Sequence, residues 1–589
     1  AELQNEAQLA FILAHEVIHY KEKHAINNYE ENTRMESGRG LYKNLSREDV
    51  ELSQYQYSRE LETESDVDGL KYYLTSGYDP YQAVTAMDVL LYSYLPFDEQ
   101  EFDASVFESE YYRFPDEYDM DEEEINPIAA YEDYDDSKST HPNIKSRKEA
   151  IEVKLDMNGN EGVLYQVADS ATFSKYQNIC RFEGVKQNIE QLAYEAAAYD
   201  IFLLMQEQPN NHYLQKSMFQ CLYSLSMYTA SDAKPEGTVS YKNIEGASQS
   251  LYHLLQEMEP SELNILALRY GNSYFTRFPE DVEAGKMLDQ LMYEFKFTFD
   301  QDIANFRTKE AAQKWKIANS DTSAVDDSDE NKKGGKYDNI KKSKEKTAQN
   351  NYYLNAFTDF ADDENWKLRY SELTEREVDS TSDDDELVDE FSLGQKEIII
   401  VQPVYLQFDA RSEQPIKFES SEKSLLQLRD KVTSSAKALG LKVHYIDNSI
   451  GSGEDAQDLN ELAILNDWFS EKLSHDDSEV DMIASGDEAV RAIAEKYNCS
   501  HVMWLGVASV REAEEDAAGK LLLGIFYWPY LPFVLADILR PNFYTQFFTL
   551  VANTETGEFD MGYYNAIDMR DLPSVQNSNI YYILQQVRK

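Results

Sequence analysis

His15 and His19 stand four residues apart in the run LAFILAHEVIHYKEKH, with Glu16 beside the first of them. The apolar residues around them (Leu9, Phe11, Ile12, Leu13, Val17 and Ile18) predict a buried helix rather than a solvated one. On a helix, positions i and i+4 share a face one turn apart, so two neutral imidazoles can reach a single tetrahedral zinc. Glu16, one step round, faces the open coordination position. A carboxylate there can take the proton of a water that the metal has made acidic.

HExxH is the zinc-peptidase pattern, but it is short, and two exposed histidines on an ordinary amphipathic helix are the alternative. The chain downstream argues against that alternative. A third ligand is available in SRELETESDVDGLKYYL, and a further histidine follows in STHPNIKSR. HExxH, then ExExDxxG, then GYDP, then THP with an arginine shortly after, resembles the HtpX/Oma-type gluzincin metallopeptidases, and in architecture their BepA-like periplasmic members. The resemblance covers about the first 150 residues and, more loosely, the helical stretch after them.

The resemblance implies Zn2+ held by His15, His19 and Glu62, with Glu16 as general base and Asp66 as a carboxylate that orients a ligand histidine. Ser65 stands where the family usually has alanine. Glu60 and Glu64 compete with Glu62 for the third ligand position, their other role being a solvated acidic face. His141 is implied to enter the cleft, stabilising the oxyanion or capping the zinc as a fourth ligand; a surface turn before Pro142 is the plainer reading. Arg147 is implied to brace the site through a carboxylate, or to help with the oxyanion. Gly77-Tyr78-Asp79-Pro80 reads as a helix C-cap followed by a new helix start.

At 589 residues the chain is too long for one domain. The expected fold is multidomain: a mainly α zincin peptidase domain, an α-helical repeat-like domain and a C-terminal α/β domain. The peptidase domain spans 1–155 and contains an acidic, tyrosine-rich insert at 98–136, read either as a solvated loop or as a lid over the cleft. Residues 156–318 repeat apolar positions at helical spacing and resemble tetratricopeptide-type helix pairs. Residues 319–395 read as a polar and acidic linker, and 396–589 as an α/β domain that alternates strand and helix and ends in a hairpin at Thr-Glu-Thr-Gly. Its layout resembles the TolB N-terminal/CsgG-like domains. Its histidines His444, His475 and His501 form no catalytic constellation. An apolar stretch at 521–541 approaches membrane-span length, but Pro529 and Pro532 favour a buried or partner-facing loop.

A formal net charge of −54 excludes nucleic acid as a partner, because phosphates would be repelled. Three cysteines (Cys180, Cys221 and Cys499) are too few and too scattered for a disulfide framework. Ala1 precedes the first ligand by only fourteen residues, so the natural beginning, with any signal or lipid anchor, is expected to be missing. The functional expectation is a zinc endopeptidase of the bacterial periplasm, at the outer membrane, acting on unfolded or misassembled envelope proteins in quality control. Membrane association would come through a lost lipid anchor or a partner. The alternative is a scaffold or chaperone subunit of an outer-membrane assembly or secretion machine, with little or no proteolysis.

Overall fold

The structure, a computed structural model, describes residues 2–36, 42–43, 46–121, 123–158, 162–320, 352–374, 393–409, 416–447, 456–477, 482, 486–511, 543–567, 569 and 571–589. The apolar stretch at 521–541, the acidic run at 379–390 and nearly all of the polar run at 320–350 lie outside the described residues. The chain divides into two compact units, Ala1–Arg376 and Glu377–Lys589.

The first unit is helical. Helices α1 (Glu6–Lys21), α2 (His24–Glu36), α3 (Arg47–Tyr73), α4 (Gln82–Tyr92) and α5 (Ile144–Asn158) form its N-terminal part. Asn5 caps α1 by accepting from Gln8 N, and Ser46 with Asp49 forms a capping box on α3. One face of α1 supplies Phe11 to a core made with Leu70 and Tyr73 of α3, Ala83 and Met87 of α4, and Ile144 and Ile151 of α5. α3 stops at Tyr73, and Gly77 then takes the left-handed conformation (φ 84°) before Pro80 leads into α4.

Helices α6 (Ser170–Glu190), α7 (Tyr194–Glu207), α8 (His212–Ala230), α9 (Gln249–Glu257), α10 (Pro260–Arg277), α11 (Val282–Tyr293) and α12 (Lys309–Ser320) form the array that follows. This array belongs to the same compact unit as the N-terminal helices. Two connections explain this. The segment after α5 turns back to the peptidase part, where Asp79 N donates to Leu164 O and Ala7 N to Tyr165 O. The acidic insert is the other connection, and its first half, residues 102–118, packs on the array, while most of the rest is exposed. Phe102, Phe107, Tyr112 and Tyr118 are buried. Phe102 packs edge-on to Phe202 of α7, Phe107 to Tyr270 of α10, and Tyr112 lies under the Arg269 guanidinium. The aromatic residues of its first half thus bury on the array while the carboxylates around them stay wet.

The expected linker also differs. Tyr352, Phe357 and Trp366 are buried in the first unit, the last on α13 (Glu364–Glu372), and Arg269 donates to Ala356 O. Aromatic content, hidden between two polar runs, accounts for this.

The second unit is a five-stranded sheet of β1 (Glu397–Asp409), β2 (Lys442–Ile446), β3 (His501–Arg511), β4 (Phe543–Asn553) and β5 (Phe559–Ile567), in the order β2-β1-β3-β4-β5. β1 pairs parallel with β2 and β3; the other pairings are antiparallel. Both faces are covered. Ile399, Val401 and Trp504 pack against Trp468 and Phe469 of α15 (Ala456–Asp477) and Val490 of α16 (Asp487–Lys496). The alternate residues Ile398, Ile400 and Met503 pack against Leu428 and Val432 of α14 (Phe418–Leu439) and Ile580 and Ile583 of α17 (Pro573–Arg588). Coverage on both sides is why β3 reads as a continuous apolar run. His444 bonds to Glu397 and His501 to Asp560, each at 2.8 Å, as satisfied structural histidines; the side chain of His475 lies outside the described residues.

Candidate metal and catalytic site

α1 and α3 supply the site by lying unusually close. A Cβ on Gly69 would sit 3.0 Å from the backbone N and Cα of His15, so the glycine of ExExDxxG lets the two helix backbones meet at the first histidine. That contact brings Glu62 and Asp66, on α3, to the histidine face of α1. Nε2 of His15 and Nε2 of His19 are 3.0 Å apart, and the Glu62 carboxylate oxygens lie 3.5 Å from the first and 3.4 Å from the second. A tetrahedral zinc at about 2.0–2.1 Å from each donor holds its donor atoms roughly 3.3–3.5 Å apart. The two-nitrogen, one-carboxylate set therefore fits that ion in chemistry and in spacing. Among the described residues of the N-terminal helices, these three form the cluster able to hold a metal.

The competing carboxylates are separated by position. Glu60 is exposed and accepts from Gln56 Nε2 at 2.9 Å. Glu64 faces His24 instead, with 3.5 Å between Oε2 and Nε2. Glu16 follows His15 in α1 and is exposed.

Behind the donors lies a chain of fixed partners. Nδ1 of His15 lies 2.9 Å from Asp66 Oδ1, and Asp66 is fully buried. Arg147, on α5 and itself buried, donates Nε to Asp66 Oδ2 and Nη2 to Asp66 Oδ1. Its Nη2 is 3.9 Å from Glu62 Oε2. The guanidinium thus holds carboxylates, the geometry that the bracing role considered for Arg147 requires.

The electrostatics follow from these contacts. Burial pushes the His15 imidazole down, but hydrogen bonds to Asp66 and Glu62, with the Asp66 charge, outweigh it and hold the pKa up at about 9. Burial dominates at His19, which falls below the usual histidine range despite the Glu62 charge. Burial would raise the Glu62 and Asp66 carboxyls. The hydrogen bond from His15, with the charges of His141 and Arg147, keeps Glu62 low; hydrogen bonds from His15 and Arg147 keep Asp66 low. Ionised carboxylates at these positions suit a cation.

His141 is half exposed, with Nε2 3.6 Å from Glu62 Oε1 on the open side of the cluster. Its turn is held by Arg59, a residue that sequence reasoning passed over. Nη1 of Arg59, one helical turn before Glu62 on α3, donates to the carbonyls of Asp136 at 2.6 Å and Ser139 at 2.8 Å. His24 was also passed over, although its five-residue distance from His19 was visible in HYKEKH. It is buried, with Nδ1 3.2 Å from His19 Nδ1.

Residues 1–154 match the family model of peptidase family M48. No curated protein and no solved structure matches the chain. The match covers the helices that carry His15, His19, Glu62, Asp66 and Arg147 and the turn that carries His141, and it agrees with the family resemblance of the four ordered motifs.

Proposed function

We propose, from an N-terminal domain that belongs to peptidase family M48, that this protein is a zinc-dependent endopeptidase. The observation that carries the reading is the convergence of His15, His19 and Glu62 at zinc-ligand spacing beside an exposed Glu16. Zinc, when bound, supplies a Lewis acid that polarises a scissile carbonyl and acidifies water. Glu16 would take the proton of the attacking water and deliver it to the leaving amine. His141, on the open side, would donate a hydrogen bond to the oxygen on which charge develops. Asp66 and Arg147 would hold His15 and Glu62 in their orientations throughout.

The proposed setting is the bacterial periplasm, at the outer membrane, with unfolded or misassembled envelope proteins as substrates and the outer-membrane assembly machinery as a partner. The ordered motifs, the layout of the second unit and an acidity unsuited to nucleic acid support it. No helix among the described residues is long and apolar enough to cross a membrane. A scaffold role with little proteolysis is the second reading, favoured by a family match that stops at residue 154 of 589.

The test is cleavage of an unfolded protein by the full chain and by Glu16→Gln, each with added zinc and with chelator. Activity lost in the variant and in chelator, with zinc retained by the variant, is the expected result. Undiminished cleavage by Glu16→Gln would remove the general base from this account. No cleavage by either form, with zinc bound in both, would favour the scaffold reading.

A further inference from the structure

An imidazole that offers Nε2 to a metal as a neutral ligand carries its proton on Nδ1, and that N–H needs an acceptor. For His15 the acceptor is Asp66 Oδ1, at 2.9 Å. The group facing His19 is of a different kind: Nδ1 of His24, at 3.2 Å.

Two observations fit His24 to this place. Its Nδ1 can accept only in the tautomer with the proton on Nε2; Nε2 is buried without a hydrogen-bond partner, and the charge of the Glu64 carboxylate, 3.5 Å away, favours a proton on that nitrogen. The chain also turns sharply to bring His24 there. Lys23, between α1 and α2, has φ 57°, a conformation that a residue with a side chain adopts only at a cost. The strained turn folds the first residue of α2 back onto the metal-facing histidine of α1.

We infer that His24 is a positioning residue for His19: its Nδ1 accepts the His19 Nδ1–H and so aims Nε2 at the metal. The inference rests on the zinc reading above. It makes the two ligand histidines unequal. His15 is backed by a carboxylate that Arg147 neutralises, whereas His19 is backed by an uncharged ring and is the weaker donor of the two.

Competition against a chromophoric chelator measures zinc affinity for the full-length protein, His24→Leu, His24→Gln and Asp66→Asn, with thermal unfolding of each zinc-free form alongside. The leucine variant should bind zinc about ten- to a hundredfold more weakly. The glutamine variant, whose amide oxygen can accept from His19 Nδ1, should recover much of that loss at similar zinc-free stability. Affinity unchanged in His24→Leu while Asp66→Asn is weakened would overturn the inference and leave the zinc reading standing. Equal losses in the leucine and glutamine variants would also overturn it, marking His24 as a packing residue. If His24→Leu does not fold, Glu64→Leu decides: a several-fold loss supports the tautomer argument and unchanged affinity overturns it. A parent protein that binds no zinc defeats both readings before any variant is compared.

Discussion

Arg147 holds Asp66 with two nitrogens of its guanidinium, Nε to Oδ2 at 2.7 Å and Nη2 to Oδ1 at 2.8 Å, and Oδ1 also meets His15 Nδ1. Both residues are buried, so the pair is a strong constraint whose removal strands a charge. Arg147→Met is expected to destabilise the zinc-free protein by about 3–5 kcal/mol in denaturant unfolding. Adding Asp66→Asn should cost less than the two single changes summed, because no stranded carboxylate remains. The pair also sets an acid limit. Asp66 titrates below its usual range, so its contribution is present above the unfolded value near 4 and is lost as pH falls through the folded one. In Asp66→Asn that part of the acid loss should disappear.

Glu62 and Glu60 are two residues apart on α3, but only Glu62 reaches the histidines. Glu62→Gln is expected to weaken zinc binding by at least an order of magnitude, through loss of an anionic ligand. Glu60→Gln should leave it within a factor of two or so, as expected of an exposed helix position. Chelator competition on the two variants checks both statements.

The ligand helix was legible from the four-residue spacing of its histidines, but its apolar run overstated burial: Phe11 and Ile18 are buried while Leu9, Leu13 and Val17 are exposed, so α1 buries one face only. Glu62 was legible from its register with Asp66 and Gly69. His24 was not, because its approach depends on a left-handed turn at Lys23 that no glycine announces. The insert misled for another reason. Its charge reads as solvation, yet Phe102, Phe107, Tyr112 and Tyr118 decide where it lies, and their partners are more than 80 residues away in the array. Residues 352–372 escaped notice likewise, as a short aromatic segment between polar runs. Strands alternating with helical stretches, among them the apolar runs of β1 and β3, did predict the sheet, because helices cover both of its faces.

Packing of the insert on the array makes a prediction for Phe107, which is 5% exposed and meets Tyr270 edge-on at 6.1 Å. Phe107→Ala should cost about 3–5 kcal/mol of stability in the first unit, the range for a buried aromatic truncation. A solvated loop would show almost none. Deleting 98–136 should for the same reason expose apolar surface of the array and promote aggregation instead of opening the cleft.

Arg59 links α3 to the turn before His141 through the carbonyls of Asp136 and Ser139. Arg59→Met retains the stem of the side chain and removes these donors. Amide exchange across 137–141 should accelerate, zinc affinity should hold, and kcat/KM should fall on the order of tenfold or more, as misplaced catalytic groups do. Unchanged exchange would show that the turn is held by its other contacts, such as Asn143 N to Asp136 Oδ2 at 2.8 Å.

Asp200 on α7 carries the pH prediction for the array. Burial pushes its carboxyl up to about 7, against the hydrogen bond it accepts from Asn188. A raised acid keeps its proton in the folded state at pH values where the unfolded chain has released it. Between about pH 4 and 7 the folded state therefore binds more protons, and stability falls as pH rises, by at most about 1.4 kcal/mol per pH unit from this one group. Asp200→Asn keeps the shape and cannot ionise. Its unfolding midpoint should match the parent near pH 4 and exceed it increasingly toward pH 7, where the gap levels off. A parent and variant that run parallel across that range would mean that Asp200 ionises in place without penalty.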